Sequence, residues 1–226
     1  WEEDGFKGEI HVTGSPAFDK FADVDVASEH IKLRGRFNLA PEDKIIFYIG
    51  QGVPRHFETD KKTFSFVVDA VKALGDPSIK IIARPHPRAT ETGYYKEIAA
   101  GIAMLDTSSI PFTENILPLG DAVISITATN LIHCCLLRIP AVSVLLPDTG
   151  MKIMKDIGLD DFPPNTTGAT IGVYEENTQK LADILRQIFD DENYRLALRQ
   201  NQEKHFPLET RAAERVAEVV LEALKE

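Results

Sequence analysis

The sequence predicts an α/β fold: a doubly wound, Rossmann-like parallel sheet with helices on both faces. Three observations carry that reading. Short, nearly continuous apolar runs recur at Lys44–Ile49, Ile79–Ala83, Asp121–Ile126 and Ala141–Leu146, as expected for strands covered on both sides. Segments with helical spacing of apolar residues separate them. Turn residues such as Gly14-Ser15-Pro16 and Gly75-Asp76-Pro77 punctuate the junctions.

In chain order, Ile10–Thr13 reads as a short strand closed by Gly14-Ser15-Pro16, and Val26–Phe37 as a helix with Gly35 near its end. Pro41-Glu42-Asp43 turns the chain into the strand Lys44–Ile49, which runs into Gly50-Gln51-Gly52. Phe64, Val67, Val68, Val71 and Leu74 share one helix face, and Gly75-Asp76-Pro77 stops that helix. The strand Ile79–Ala83 ends at Arg84-Pro85-His86-Pro87, followed by a helix over Tyr94–Ala100 and a short strand over Ala103–Leu105. Thr113 is placed to cap a short helix ending at Gly120. The strand Asp121–Ile126, the helix Asn130–Arg138 and the strand Ala141–Leu146 follow. Met151–Ile157 is a short helix, Pro163-Pro164-Asn165 a loop and Ala169–Val173 the last strand. Three helices close the chain: one marked by Leu181, Ile184, Leu185 and Ile188, then Asn193–Lys204 and Thr210–Lys225. Right-handed crossovers place every strand C-terminus on one rim, and ligands bind at such a rim.

Bulk properties narrow the function. The 226 residues, 43% of them apolar, suffice for a sizeable core. A net charge of −10, from 35 acidic and 25 basic residues, argues against nucleic acid as a partner but allows a local basic pocket for one small anion. Cys134 and Cys135 are adjacent in an apolar helix and read as buried free thiols, which suits a reducing compartment. Asn165-Thr166-Thr167 matches a glycosylation sequon without a secretory context. Trp1–Gly5 is acidic, lacks an apolar run and lacks an initiating Met, so the chain is expected to be cut from a longer protein. His133, Arg138 and Pro140 interrupt the apolar stretch from Ala122 to Leu146, which reads as strand–helix–strand and not as a membrane span. A cytoplasmic chain is expected, either free or resting at a membrane surface.

The rim carries the chemistry. At Ser125–Asn130 a strand hands over to a helix, where Thr127 and Thr129 hydroxyls and free helix-start amides make an anion pocket. The competing reading makes both threonines ordinary helix caps. Gly50-Gln51-Gly52 lets the backbone approach a ligand or simply turns the chain, and it completes neither a Walker loop nor a dinucleotide fingerprint. In Arg84-Pro85-His86-Pro87 two prolines brace an arginine suited to gripping phosphate and a histidine suited to donating to an oxyanion; alternatively Arg84 pairs locally and His86 packs. Arg55 and His56 are weaker anion-site candidates, and His11, His30 and His205 are expected to be structural or solvated. No His/Cys/Asp cluster has metal-ligand spacing and no nucleophile elbow appears, so neither a metal nor a cofactor is expected.

At this point the pattern resembles a known family. HVTGSPAFD (His11–Asp19), the RPHP strand end and SITATNLIHCCLLRIPAV (Ser125–Val142) are similar to the C-terminal half of GT-B-fold proteins, above all UDP-N-acetylglucosamine 2-epimerase-like and CDP-glycerol glycerophosphotransferase-like enzymes. Val12-Thr13-Gly14-Ser15 with Asp19 is similar to the segment that opens that half, His86-Pro87 to its H-P, and Arg211–Arg215 to its closing helix. The resemblance implies a donor-binding domain over residues 10–226, preceded by a linker at 1–9, that takes a UDP- or CDP-linked nucleotide-diphosphosugar. It implies Thr129 and Asn130 at the pyrophosphate, Gly50 and Gln51 along the donor cleft, and His86 near phosphate or sugar. Gly14, Arg84, Thr127 and His133 complete the expected donor-binding set.

Two departures qualify the implied activity. The acidic residue that grips ribose in the family falls at His133, seven places before Pro140, and the expected small or hydroxyl residue at 128 is Ala128. The chain is also expected to be too short to hold the N-terminal acceptor domain, which is expected as a partner, with a membrane-associated acceptor also open. Whether the chain is catalytic stays undecided. The implied role is the donor half of a glycosyltransferase or sugar-nucleotide epimerase in polysaccharide or glycolipid synthesis. A CDP-alcohol glycerophosphotransferase, a degenerate assembly or regulatory module, and a Rossmann domain for another cofactor are its rivals.

Overall fold

The computed structural model describes residues 8–51, 57–208 and 210–225. It divides the chain into two units, Asp25–Pro207 and a terminal unit made of Trp1–Val24 with Leu208–Glu226.

The larger unit is built on six parallel strands: β1 (Lys44–Ile49), β2 (Ile79–Arg84), β3 (Ala103–Met104), β4 (Ala122–Ser125), β5 (Ala141–Val144) and β6 (Ile171–Val173). Their order across the sheet is β3-β2-β1-β4-β5-β6. The helices are α1 (Val26–Arg36), α2 (Phe57–Leu74), α3 (Tyr94–Ile98), α4 (Thr129–Leu137), α5 (Gly150–Asp156), α6 (Pro163–Thr166), α7 (Thr178–Asp190) and α8 (Glu192–His205). From β1 the chain winds one way through β2 to β3; from β4 it winds the other way through β5 to β6. Right-handed crossovers therefore set α2 and α4 on opposite faces. On the α2 face, Ile46, Tyr48, Ile81, Ile124 and Val144 pack with α2, α3 and α7, while α4 is backed by α8. Strands buried on both faces need apolar side chains at nearly every position, which is why β1 reads Lys-Ile-Ile-Phe-Tyr-Ile.

Polar pins hold the N-terminal edge of the sheet. Asp121 accepts the Ile45 N–H at 2.7 Å, Lys80 pairs with Asp43 at 2.6 Å, and Lys44 pairs with Asp76 and Asp190 at 3.0 and 3.1 Å. Asp76 also accepts the Ser78 hydroxyl at 2.6 Å and the Ser78 N–H at 2.9 Å, closing the turn that follows α2.

In the terminal unit a 3-10 turn at Pro16–Phe21 packs on α9 (Ala212–Ala223). The N-cap position of α9 is Arg211, whose left-handed backbone supplies no capping oxygen. Asp19 supplies it from the other end of the chain, accepting the N–H groups of Ala212 and Ala213 at 3.0 Å each. These two bonds hold the Asp19 carboxyl below the usual carboxylate range. Gly14, at φ 80°, makes a left-handed turn that favours glycine, and Arg215 donates to the Thr13 carbonyl at 2.9 Å.

Several expected elements differ. Residues 10–13 form no strand: Ile10 and Val12 are exposed, and among the described residues no ladder partner takes them up. Pro163–Thr166 is a helical turn and not a loop, because proline is tolerated where helix-start N–H groups have no partner anyway. The segment from Thr113 to Gly120 forms two 3-10 turns, with Phe112 and not Thr113 at the first cap position.

The Asp76 pin makes stability pH-dependent with a definite sign. The Ser78 hydroxyl and N–H, then Lys44, hold its carboxyl at about 2, below the ordinary 3.8. Its stabilising contribution is therefore full above about pH 4 and is lost as pH falls toward 2. With the side chain 30% exposed, the contribution is discounted to on the order of 1 kcal/mol. Asp76→Asn should lower the melting temperature at pH 7, and that penalty should shrink steadily in melts run from pH 4 to pH 2. An equal penalty at pH 3 and pH 7 would rule out this assignment.

Candidate functional site

Winding reverses between β1 and β4, so the chain leaves their C-terminal ends in opposite directions and opens a crevice there. Register places the candidate clusters at one height. Ile49 pairs with Arg84 on one side and Ser125 on the other, and Ser125 pairs with Ser143. Two buried hydroxyls hold this rim together: Ser125 Oγ donates to the Ile49 carbonyl and Ser143 Oγ to the Ile126 carbonyl, both at 2.7 Å. Each satisfies a carbonyl at a strand end, where the ladder stops providing donors.

Just beyond Ser125, α4 begins without a cap. The N-cap residue is Ala128, in the extended conformation usual for that position, and it has no side-chain oxygen to offer. Neither Thr127 nor Thr129 substitutes; their hydroxyls form no hydrogen bond to a described residue, and Thr129 is exposed. The first helical-turn bond reaches only the Leu131 N–H, which donates to the Ala128 carbonyl at 2.9 Å. The start of α4 thus presents the Thr129 and Asn130 N–H groups, two nearby hydroxyls and the positive end of the helix dipole. The reading of Thr127 and Thr129 as helix caps is excluded.

Across the crevice the end of β1 is fixed from beneath. The Gly50 N–H still donates to the Arg84 carbonyl at 2.9 Å, whereas the Gln51 N–H leaves the sheet and donates to Asp60 Oδ1 at 2.9 Å. Asp60, in the first turn of α2, also accepts the hydroxyls of Tyr48 (2.8 Å), Tyr94 and Tyr95. A Cβ on Gly50 would lie 2.1 Å from the Tyr95 hydroxyl, so glycine is demanded by what lies below it, irrespective of any ligand above. Burial, with the Asp60 charge behind it, pushes all three tyrosines above their ordinary pKa.

Arg84 does something different from a phosphate grip. Its Nη1 donates to the carbonyls of Thr107 and Ile110 and its Nη2 to that of Pro111, each at 2.9 Å. The guanidinium thereby clamps residues 107–111 onto the end of β2. Burial lowers its pKa, but the group stays charged. His86 is exposed, and its Nδ1 accepts the Arg88 N–H at 3.1 Å. A backbone N–H can only donate, so the His86 proton sits on Nε2, a donor facing solvent.

His133 lies on α4 with Nδ1 3.1 Å from Asn130 Oδ1. Among the described residues, two buried polar groups at this rim find no hydrogen-bond partner: Gln51 Nε2 after β1 and Thr149 Oγ1 after β5. Thr149 lies on the rim segment Asp148-Thr149-Gly150 but gave no signal in the sequence beyond its place there. Gly14 belongs to the terminal unit and is no part of the sheet that carries the other candidates. Gly52, Arg55 and His56 lie outside the described residues. Of the other histidines, His30 Nδ1 bonds the Pro118 carbonyl at 2.8 Å and His205 is exposed at the end of α8. Cys134 and Cys135 are buried free thiols whose pKa burial pushes up, to about 12 for Cys135. Among the described residues no group of three or more His, Cys, Asp or Glu side chains could hold a metal ion, and no helix is long and apolar enough to cross a membrane.

No family model and no curated protein sequence matches this chain. Solved structures do. The wall teichoic acid polymerase TagF matches with a TM-score of 0.59 at 17% identity, over 94% of this chain and 52% of that one. The UDP-GlcNAc 2-epimerase of Neisseria meningitidis bound to UDP-GlcNAc matches at 0.58 and 12%, over 95% and 55%. S. aureus MnaA with UDP matches at 0.57 and 15%, over 95% and 54%. The chain spans about half the length of each. Its fold is that of one half of GT-B enzymes.

The Arg84 clamp predicts a stability effect. Arg84→Ala leaves the carbonyls of residues 107, 110 and 111 without their donor and should cost about 1–3 kcal/mol in chemical denaturation. A fully stable Arg84→Ala protein would contradict the clamp.

Proposed function

We propose that this chain is the donor-binding half of a GT-B glycosyltransferase or sugar-nucleotide epimerase, taking the diphosphate of a UDP- or CDP-linked donor at the start of α4. The observation that carries this is the uncapped helix start at the β1–β4 switch point, where Ala128 stands at the cap position. Free helix-start N–H groups favour an anion there. The likeness to enzymes whose structures hold UDP or UDP-GlcNAc supports the choice of ligand. In this reading Thr127, Thr129 and Asn130 meet the diphosphate oxygens, and Gly50 and Gln51 form the facing lip. His86 offers Nε2–H to phosphate or sugar, and His133 lies farther along α4 toward the ribose. Arg84 contributes by holding the 107–111 segment. Acceptor binding and turnover belong to a partner domain of the same protein, and a membrane-associated acceptor fits polysaccharide or glycolipid synthesis in the cytoplasm.

A second reading, a non-catalytic assembly or regulatory module, is favoured by one observation. Where the resembled family carries an acid, His133 stands and is bonded to Asn130. That reading predicts no nucleotide binding at all.

A single substitution separates structural from ligand roles for the helix start. Ala128→Asp supplies the missing cap and a charge of the ligand's own sign. It should raise stability by about 0.5–2 kcal/mol and abolish UDP and CDP binding in calorimetry. Thr129→Val should leave the melting temperature nearly unchanged, because its exposed hydroxyl bonds no described residue. It should weaken nucleotide binding by about 1–3 kcal/mol through the lost phosphate hydrogen bond. Absence of heat with UDP, CDP and their sugar or glycerol conjugates would exclude the donor-binding function. Undiminished binding by Ala128→Asp would move the site elsewhere.

A further inference from the structure

We infer that Asp60 is a positioning residue for this cleft: it fixes the end of β1 and so sets the lip that faces the start of α4. The inference rests on the donor-binding reading and adds a residue that the motifs of the rim do not include.

The carboxylate is only 1% exposed. A buried carboxylate is costly unless hydrogen bonds replace its water, and here four donors do so. Three are tyrosine hydroxyls from β1 and α3. The fourth is the Gln51 N–H, the first backbone donor beyond the point where β1 loses its ladder partner. That fourth bond sets Asp60 apart from a purely internal network. Without it, among the described residues the chain leaving the sheet is held by the Gly50–Arg84 bond and by Ser125 on Ile49.

The hub is stiff as well as satisfied. The Tyr94 and Tyr95 rings stack with centroids 4.2 Å apart, and Phe64 packs against Tyr95 at 4.8 Å and Tyr48 at 4.9 Å. Gly50 lies directly on the Tyr95 hydroxyl, so the backbone is pressed onto this surface and cannot sink further. Dipoles also favour the arrangement, since a negative group in the first turn of α2 meets the positive end of that helix. A buried apolar residue at 60 would fill space equally well, but it would take the carboxylate away from the Gln51 N–H and from the Tyr94 and Tyr95 hydroxyls, and would leave Tyr48 only the residue 60 carbonyl at 3.3 Å. The lip would then no longer be held at a fixed distance from the anion site, and transferring ligand contacts tolerate little misplacement.

The test compares the whole chain with Asp60→Asn, with Tyr94→Phe/Tyr95→Phe, and with Val142→Ala, a cavity variant in the same core that touches none of these bonds. Two quantities are read for each: the Gln51 amide resonance in a ¹H–¹⁵N spectrum, and UDP and CDP affinity by calorimetry. Asp60→Asn should move the Gln51 amide, which loses a charged acceptor, and weaken nucleotide binding roughly tenfold. Val142→Ala should lower the melting temperature while leaving both readings in place. If Asp60→Asn does not fold, the tyrosine double variant keeps the carboxylate but frees it to move, and it should shift the same amide and weaken binding by a smaller factor. Affinity in the Asp60 or tyrosine variants equal to that of Val142→Ala overturns the inference and leaves the donor-binding reading standing. Failure of the unaltered chain to bind UDP or CDP overturns both.

Discussion

The structure turns on one local electrostatic fact: α4 begins at the switch point of the sheet with no side chain among the described residues capping its first N–H groups. Helix starts are normally closed by a side-chain oxygen, and alanine at the cap position forgoes about 1 kcal/mol of that stabilisation. Two hydroxyl residues flank Ala128, yet neither turns back to cap the helix. The rest of the rim is correspondingly rigid. Ser125 and Ser143 lock the ends of β1, β4 and β5, Arg84 ties down the segment beyond β3, and Asp60 anchors the residue that follows Gly50. An open helix start surrounded by pinned strand ends is the preorganised geometry that the proposed donor site calls for, because little would have to move when a ligand arrives.

Much of the fold was readable from the chain because parallel strands covered on both faces carry a strong signal. The apolar runs at β1, β2, β4 and β5 and the helical spacing from Phe64 to Leu74 all correspond to observed elements. The misreadings have one physical source. Local pattern does not say whether a segment finds a partner. Ile10–Thr13 alternates like a strand but joins no ladder among the described residues, and Pro163-Pro164 resembles a loop although proline fits the first helical turn.

At the candidate site, topology alone puts Gly50-Gln51, Arg84-Pro85-His86-Pro87 and the Thr127–Asn130 turn on one rim, since strand order and crossover hand fix which loops share an edge. What individual side chains do there depends on contacts far away in sequence. Arg84 looked like a phosphate ligand and instead serves carbonyls of residues 107–111. Gly50 looked like room for a ligand and is required by a tyrosine hydroxyl underneath it. Asp60 offered no motif at all; its importance appears only when α3 brings Tyr94 and Tyr95 to it. The Asp19 of the opening segment likewise proves to be a helix cap for α9, nearly the full length of the chain away. Motif resemblance therefore singled out one edge of the sheet, while the contacts that each of its residues makes had to come from the coordinates.

The account stands most directly on where an anion settles. Titration of the ¹⁵N-labelled chain with UDP should shift the Thr129 and Asn130 amides first and most, with Gln51 following and the N-terminal edge around Lys44 and Asp76 unmoved. Saturating UDP that leaves the Thr129 and Asn130 amides in place, or that perturbs chiefly some other surface, would contradict it.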